Sequence, residues 1–148
     1  MPYTTELTDD YMGIVHVGTG VVTGEDLLEA CRSTVPLFQN TENFHYEFID
    51  FSDAEELRIT PDDFAEIVEQ DRFAALFRPE AVIVIVAVDD AISETVKEWD
   101  RRVQDIGWKT HISRSRPDAL AWLRANYPTP GARVAEGSEA SVPDANAS

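Results

Sequence analysis

Apolar and polar positions along the chain alternate between two periods, and the changes of period mark out the elements. The run Ala81 to Val88 (AVIVIVAV) is uninterrupted, apolar and rich in β-branched residues. A strand with both faces buried has this pattern, so the run predicts an interior strand of a sheet covered by helices. Tyr3 to Leu7 and Tyr11 to Val17 are short extended stretches around Thr8-Asp9-Asp10, and they predict an opening hairpin. Thr23-Gly24-Glu25-Asp26 has the form of a capping box, and Leu27, Leu28, Cys31 and Val35 follow on one stripe, so a first helix starts there. Tyr46 to Phe51 reads as the next strand, with a polar stretch from Ser52 to Arg58 after it. Thr60-Pro61-Asp62-Asp63 combines a cap, a proline at the first helical position and an acidic first turn, and predicts a second helix with Phe64, Ile67 and Val68 inward.

A third helix is predicted from about Ala91 to Ile106. It carries Ile92, Val96, Trp99, Val103 and Ile106 at spacings of three and four, with Gly107 placed to stop it. Trp108 to Ile112 alternates and reads as a strand nearer the sheet edge. Ser115-Arg116-Pro117-Asp118 opens a short last helix ending near Asn126. Strands and helices in this order predict one α/β domain over residues 1–126, a single mixed sheet of about five strands with packed helices. Residues 127–148 offer only two valines as branched apolar residues among small and polar ones. Such a segment cannot offset an ordering cost of roughly 1 to 2 kcal/mol per residue, so a disordered acidic tail is expected there.

Charge narrows the partners. Twelve basic against twenty-eight acidic side chains leave a net charge of −16. That sign repels phosphate backbones and anionic membranes within about one Debye length, ~8 Å at physiological salt, so nucleic acid is not expected as a ligand. The imbalance is local as well as global, with residues 97–116 carrying a net +3 against −17 over residues 1–96. Pairing along a solvated helix face accounts for that basic stretch; a patch for an acidic partner or a phosphate is the sharper alternative. One Cys excludes an internal disulfide, no signal peptide is visible at the start, and the longest apolar run is far below the roughly 20 residues of a membrane span. A cytoplasmic protein without a membrane span is expected.

Reactive chemistry is sparse. His16, His45 and His111 are far apart and have no ligand-spaced companions, so no metal site is predicted. Cys31 falls on the apolar stripe of the first helix, where a buried inert thiol is expected. Asp9-Asp10 and Asp62-Asp63 suit a turn and a helix first turn. Asp89-Asp90 superficially resembles the acidic pair of a phosphoacceptor receiver domain, yet too few αβ units follow it. Gly18-Thr19-Gly20 has Thr23 where a dinucleotide-binding loop needs its third glycine, and a turn is the expected role. No catalytic residue and no cofactor are predicted.

The order of elements, with Val21 to Leu27 (VVTGEDL), the strand ending Ile49-Asp50-Phe51-Ser52, Arg78 to Ala87 (RPEAVIVIVA) and Asp118 to Leu123 (DALAWL), resembles the STAS/SEC14-like family of small bacterial proteins. These share a SpoIIAA-like fold with the sporulation anti-sigma-factor antagonists. The resemblance covers about residues 3 to 126 and implies a non-catalytic regulatory module that binds a protein. In the antagonist branch an Asp-x-Ser at a strand end precedes a helix whose N-terminus bears the Ser phosphorylated by a partner kinase. Asp50-Phe51-Ser52 keeps the first part; Arg58-Ile59-Thr60-Pro61 stands where Asp-Ser-Ser-Gly belongs, leaving Thr60, already explained as a helix cap, as the hydroxyl nearest that place.

Asp50, Ser52 and Thr60 are therefore the candidate binding residues, and the negative field implies a partner with a basic surface. The SEC14 side of the resemblance implies a second function, an apolar small-molecule or lipid carrier. Phe44, Tyr46, Phe48, Phe51, Phe64, Phe73 and Phe77 would line it, although aromatics at such spacing also fit an ordinary core. Homodimerisation through an edge strand or helix face is a further expectation.

Overall fold

The computed structural model describes residues 2–8, 12–40 and 45–126. The expected tail, Asp9, Asp10, Tyr11 and Phe44 lie outside the described residues. Five strands form one sheet in the order β1-β2-β3-β4-β5: Tyr3–Leu7, Gly13–Thr23, Tyr46–Arg58, Val82–Val86 and Lys109–Ser113. β1 runs antiparallel to β2, and all later neighbours are parallel. The mixed α/β sheet anticipated from the sequence is the one observed. Thr8 and Gly13 tie the opening hairpin: the Thr8 amide donates to the Gly13 carbonyl at 2.9 Å and the Gly13 amide to Thr8 Oγ1 at 3.1 Å.

β4 is buried at all five positions, and its two sets of alternating side chains serve two cores. Ile83 and Ile85 pack under the helices α1 (Gly24–Asn40), α2 (Pro61–Ala75) and α3 (Asp90–Val103). Val82, Val84 and Val86 pack with Tyr46 and Phe48 against Ala119 and Leu123 of α4 (Arg116–Asn126). The period-two alternation of a strand divides one apolar run between opposite faces. Val88, which the sequence pattern includes in the strand, lies beyond it and is exposed.

Local signals at the helix starts act as the sequence pattern implies. Thr23 and Asp26 form a reciprocal capping box, Asp26 N to Thr23 Oγ1 at 3.2 Å and Thr23 N to Asp26 Oδ2 at 2.9 Å. Thr60 caps α2 by accepting from the Asp63 amide at 3.1 Å. Asp89 caps α3 by accepting from the Ile92 amide at 3.1 Å, which gives the Asp89-Asp90 pair a structural role. α3 buries Ile92, Val96, Trp99 and Val103, and a 3₁₀ turn over Gln104–Ile106 carries it to Gly107.

Two expectations are corrected. Gly18-Thr19-Gly20 is not a turn, because β2 continues through it to Thr23; Ser52 to Arg58 is likewise part of β3. These halves pair with each other, Thr19 with Asp53 through Thr23 with Arg58, after one register shift at Val17/Thr19 and across a second at Gly20/Val21. The shifts hide the strand from a period-two reading, since each extra residue moves the inward position by one. Phe51, Ala54 and Leu57 consequently all face the helical core at spacings of three. Gly20, at φ 61°, sits at the second shift, in a backbone conformation that side chains resist.

The basic stretch is largely paired within the fold. Arg101 and Arg102 meet Glu98, Arg114 meets Asp90 at 2.9 Å, and Arg102 also stands 4.7 Å over the Phe64 ring. Among the described residues no helix is long and apolar enough to cross a membrane.

Gly13 marks the closest packing between β2 and β3. A Cβ there would overlap the ring of Tyr46, which is fully buried and has no room to retreat. Gly13→Ala should lower unfolding free energy by about 1 to 3 kcal/mol, the range for overpacking a filled core. Urea denaturation checks this, and a loss below about 0.5 kcal/mol would contradict such tight packing.

Candidate functional site

The candidate binding residues divide between two places. Asp50 points to the α4 side of β3 and is almost fully buried. Its Oδ1 accepts from the Ser52 amide at 2.8 Å and the Ser52 hydroxyl at 2.6 Å, and its Oδ2 pairs with the Arg116 guanidinium at the start of α4. Arg116, absent from the sequence candidates, completes this cluster. Thr60 takes no part in it, serving instead as the exposed cap of α2. Asp50 thus has a clear internal task, to hold α4 against the sheet.

A second cluster lies on the opposite face. Between the sheet and α1, α2 and α3 is a cavity of about 110 Å³. Its wall is mainly apolar, yet five titratable side chains reach it: Tyr3 from β1, His16 from β2, Glu47 from β3, Cys31 from α1 and Asp71 from α2. Reactive groups that are sparse and far apart in the sequence are thus brought to one wall. The cause is strand register, which sets Thr5 opposite His16 and His16 opposite Ile49. A buried polar residue in the inward series of a strand or helix is the signal that sequence reading missed. Glu47 precedes the inward Ile49 and Phe51 at spacings of two, and Asp71 stands between the inward Ile67 and Ala74.

His16 is buried, with its Nδ1 2.9 Å from Thr5 Oγ1 and its Nε2 3.5 Å from Glu47 Oε1. The Tyr3 ring stacks on the imidazole at 5.4 Å between centroids. Trp99 of α3 donates its indole N–H to Asp71 Oδ2 at 2.7 Å. Burial, reinforced by the Glu47 carboxylate, pushes the Asp71 carboxyl up to about 8 even though the Trp99 bond favours its ionised form. Burial likewise pushes the Cys31 thiol up, with Asp71 and Glu47 adding to the effect, and it raises the Tyr3 phenol well above its ordinary value. A thiol so shifted is a poor nucleophile, because the thiolate is the reactive form. The arrangement suits hydrogen bonding and charge recognition better than covalent chemistry.

The other two histidines lie elsewhere. His111 stacks on Trp122 at 4.8 Å and approaches Asp118 at 3.3 Å, while burial and Arg78 lower the His45 value. Among the described residues no group of three or more His, Cys, Asp or Glu is arranged to hold a metal ion. Of the aromatics expected to line a carrier, Phe51 and Phe64 reach the cavity; Tyr46 and Phe48 fill the other core, and Phe73 and Phe77 are exposed.

The fold is SpoIIAA-like. The anti-sigma factor antagonist SpoIIAA, in its unphosphorylated form, superposes with a TM-score of 0.51 and 10% identity, over 82% of this chain and 97% of that one. An uncharacterised protein of the DUF3478 family from Shewanella loihica, described as having a SpoIIAA-like fold, aligns at a TM-score of 0.46 and 17% identity, over 82% of this chain and 91% of that one. No protein-family model matches the chain, and no curated protein sequence matches it.

Two measurements follow from these clusters. Folded Asp71 keeps its proton to about pH 8, whereas the unfolded chain releases it near pH 4, so between those values the folded state binds the extra proton. Its contribution then falls as pH rises through that window, by at most about 1.4 kcal/mol per pH unit, and levels off above it. The Glu47 carboxylate adds to burial in holding the Asp71 proton and the Trp99 indole opposes them, while Cys31 and Tyr3, on the same wall, stay neutral throughout this window. Asp71→Asn should therefore gain stability over the parent progressively from pH 5 to 8 in thermal melts; a gain independent of pH would reject the shift. On the other face, Arg116→Met strands a buried carboxylate and should cost about 3 to 5 kcal/mol, most of it recovered by adding Asp50→Asn. Chemical denaturation of the two single variants and the double variant reads this out, and strict additivity would contradict the pairing.

Proposed function

We propose that the protein is a non-catalytic regulatory module that acts by binding a protein with a basic surface. The observation that carries this reading is the charge of one edge of the SpoIIAA-like fold. The outer half of β3 and the exposed side of α2 present Asp53, Glu55, Glu56, Asp62, Glu66 and Glu69 to solvent, and Arg58, paired to Glu56 at 3.0 Å, is the one basic residue between 47 and 71. Ser52 and Thr60 lie along the same stretch. Such a field speeds encounter with a basic surface more than it tightens the complex. Phosphorylation of Thr60 would add negative charge at a helix N-terminus, which the dipole tolerates and a matched partner would sense.

A second reading is favoured by a separate observation, the cavity beneath α1, α2 and α3: the module takes up a small molecule there. At about 110 Å³ the cavity is below the roughly 300 Å³ of sites for drug-sized ligands, which argues for a compact ligand rather than a lipid chain.

The two readings separate experimentally. Pull-down from the host should recover a defined partner that is released by moderate salt. Replacing Asp53, Glu55, Asp62 and Glu66 by Asn or Gln should slow its association about tenfold at low ionic strength with little change in dissociation. Recovery insensitive to both salt and these replacements would overturn the first reading. Native mass spectrometry of protein from its host tests the second, with a retained small mass expected.

A further inference from the structure

The cavity under the three helices has an asymmetry of charge. Glu47 and Asp71 both reach it, and among the described residues no Lys or Arg side chain lines it. The imidazole of His16, 3.5 Å from Glu47 and hydrogen bonded to Thr5, is the nitrogen-bearing ring beside them. Glu47 is itself nearly buried, with its side chain 12% exposed. A carboxylate so placed is costly without a counter-charge, which makes an anionic occupant unfavourable.

The rest of the wall is aromatic and aliphatic. Tyr3, Phe51, Phe64, Trp99 and Trp108 all line the space. Carboxylate and aromatic side chains around one cavity are the recognition chemistry of organic ammonium ions, which exchange hydration for ring quadrupoles and one strong ion pair. A bare metal ion fits poorly, since no set of three acidic, imidazole or thiol donors is arranged for one among the described residues. Volume limits the size. An apolar cavity of about 150 Å³ takes benzene, so about 110 Å³ suits an occupant of roughly four or five non-hydrogen atoms.

We propose that this cavity binds a small organic ammonium ion, its charged nitrogen on the Glu47 carboxylate and its hydrocarbon body among the rings of Tyr3, Phe51, Phe64 and Trp99. The inference rests on the small-molecule reading above and gives the ligand its chemical class. The Asp71 carboxyl, held by Trp99, lies on the same wall, so α2 and α3 both feel the occupant.

The probes are n-butylammonium and its neutral counterpart 1-butanol, titrated into the full chain at pH 7 and constant ionic strength. Trp99 and Trp108 line the cavity and report binding by fluorescence; Trp122, stacked on His111 outside it, is removed as Trp122→Phe. Saturable binding of n-butylammonium at least tenfold tighter than 1-butanol is expected. Glu47→Gln should weaken the ammonium at least tenfold and leave the alcohol unchanged. The comparison of ligands in the parent protein stands even where that variant folds poorly. Alcohol binding as tight as the ammonium would overturn the charge assignment while sparing the small-molecule reading. Saturation by neither probe would overturn both.

Discussion

Burial of β4 on both faces is the constraint from which the other layers follow. A strand with every side chain out of water requires partners above and below, and the alternation of its residues decides which helix meets which atoms. Ile83 and Ile85 commit α1, α2 and α3 to one side, and Val82, Val84 and Val86 commit α4 to the other. The parallel pairing of β2 through β5 follows from the same demand, because each connecting helix must cross a face to bring the chain back.

Much of this was legible in the residues themselves. The AVIVIVAV run, the capping box at Thr23 and the cap with proline at Thr60-Pro61 are local signals, and local hydrogen bonds satisfy them without reference to the rest of the fold. The long second halves of β2 and β3 were not legible. Their stabilisation lies in pairing with each other, and two register shifts break the alternation that would have announced them. Polar residues from Ser52 to Arg58 looked like a loop for the same reason, since one face of that ribbon is solvated.

The candidate site divides along similar lines. Asp50 and Ser52 are neighbours in sequence and also in space, but the meaning of Asp50 depends on Arg116, sixty-six residues away. The cavity groups are more distant still in sequence, contributed by three strands and two helices. Nothing in composition reveals that Glu47 and Asp71 share a wall. Only the combined positions of an acid within an apolar strand series and an acid on the inward side of α2 hint at it, and each alone resembles a solvated charge.

The second face of the sheet depends on very little material. One helix of eleven residues, α4, covers Val82, Val84, Val86 and Phe48, and it is the last described element to leave the ribosome. Until residues 116–126 emerge, a nascent chain whose first core has already collapsed carries a bare hydrophobic plane on its other side. Capture of that plane by a chaperone, or by a neighbouring nascent copy, competes with the arrival of the final helix. The buried charge pair at its first turn gives the arriving segment one registered landing point in an otherwise greasy plane.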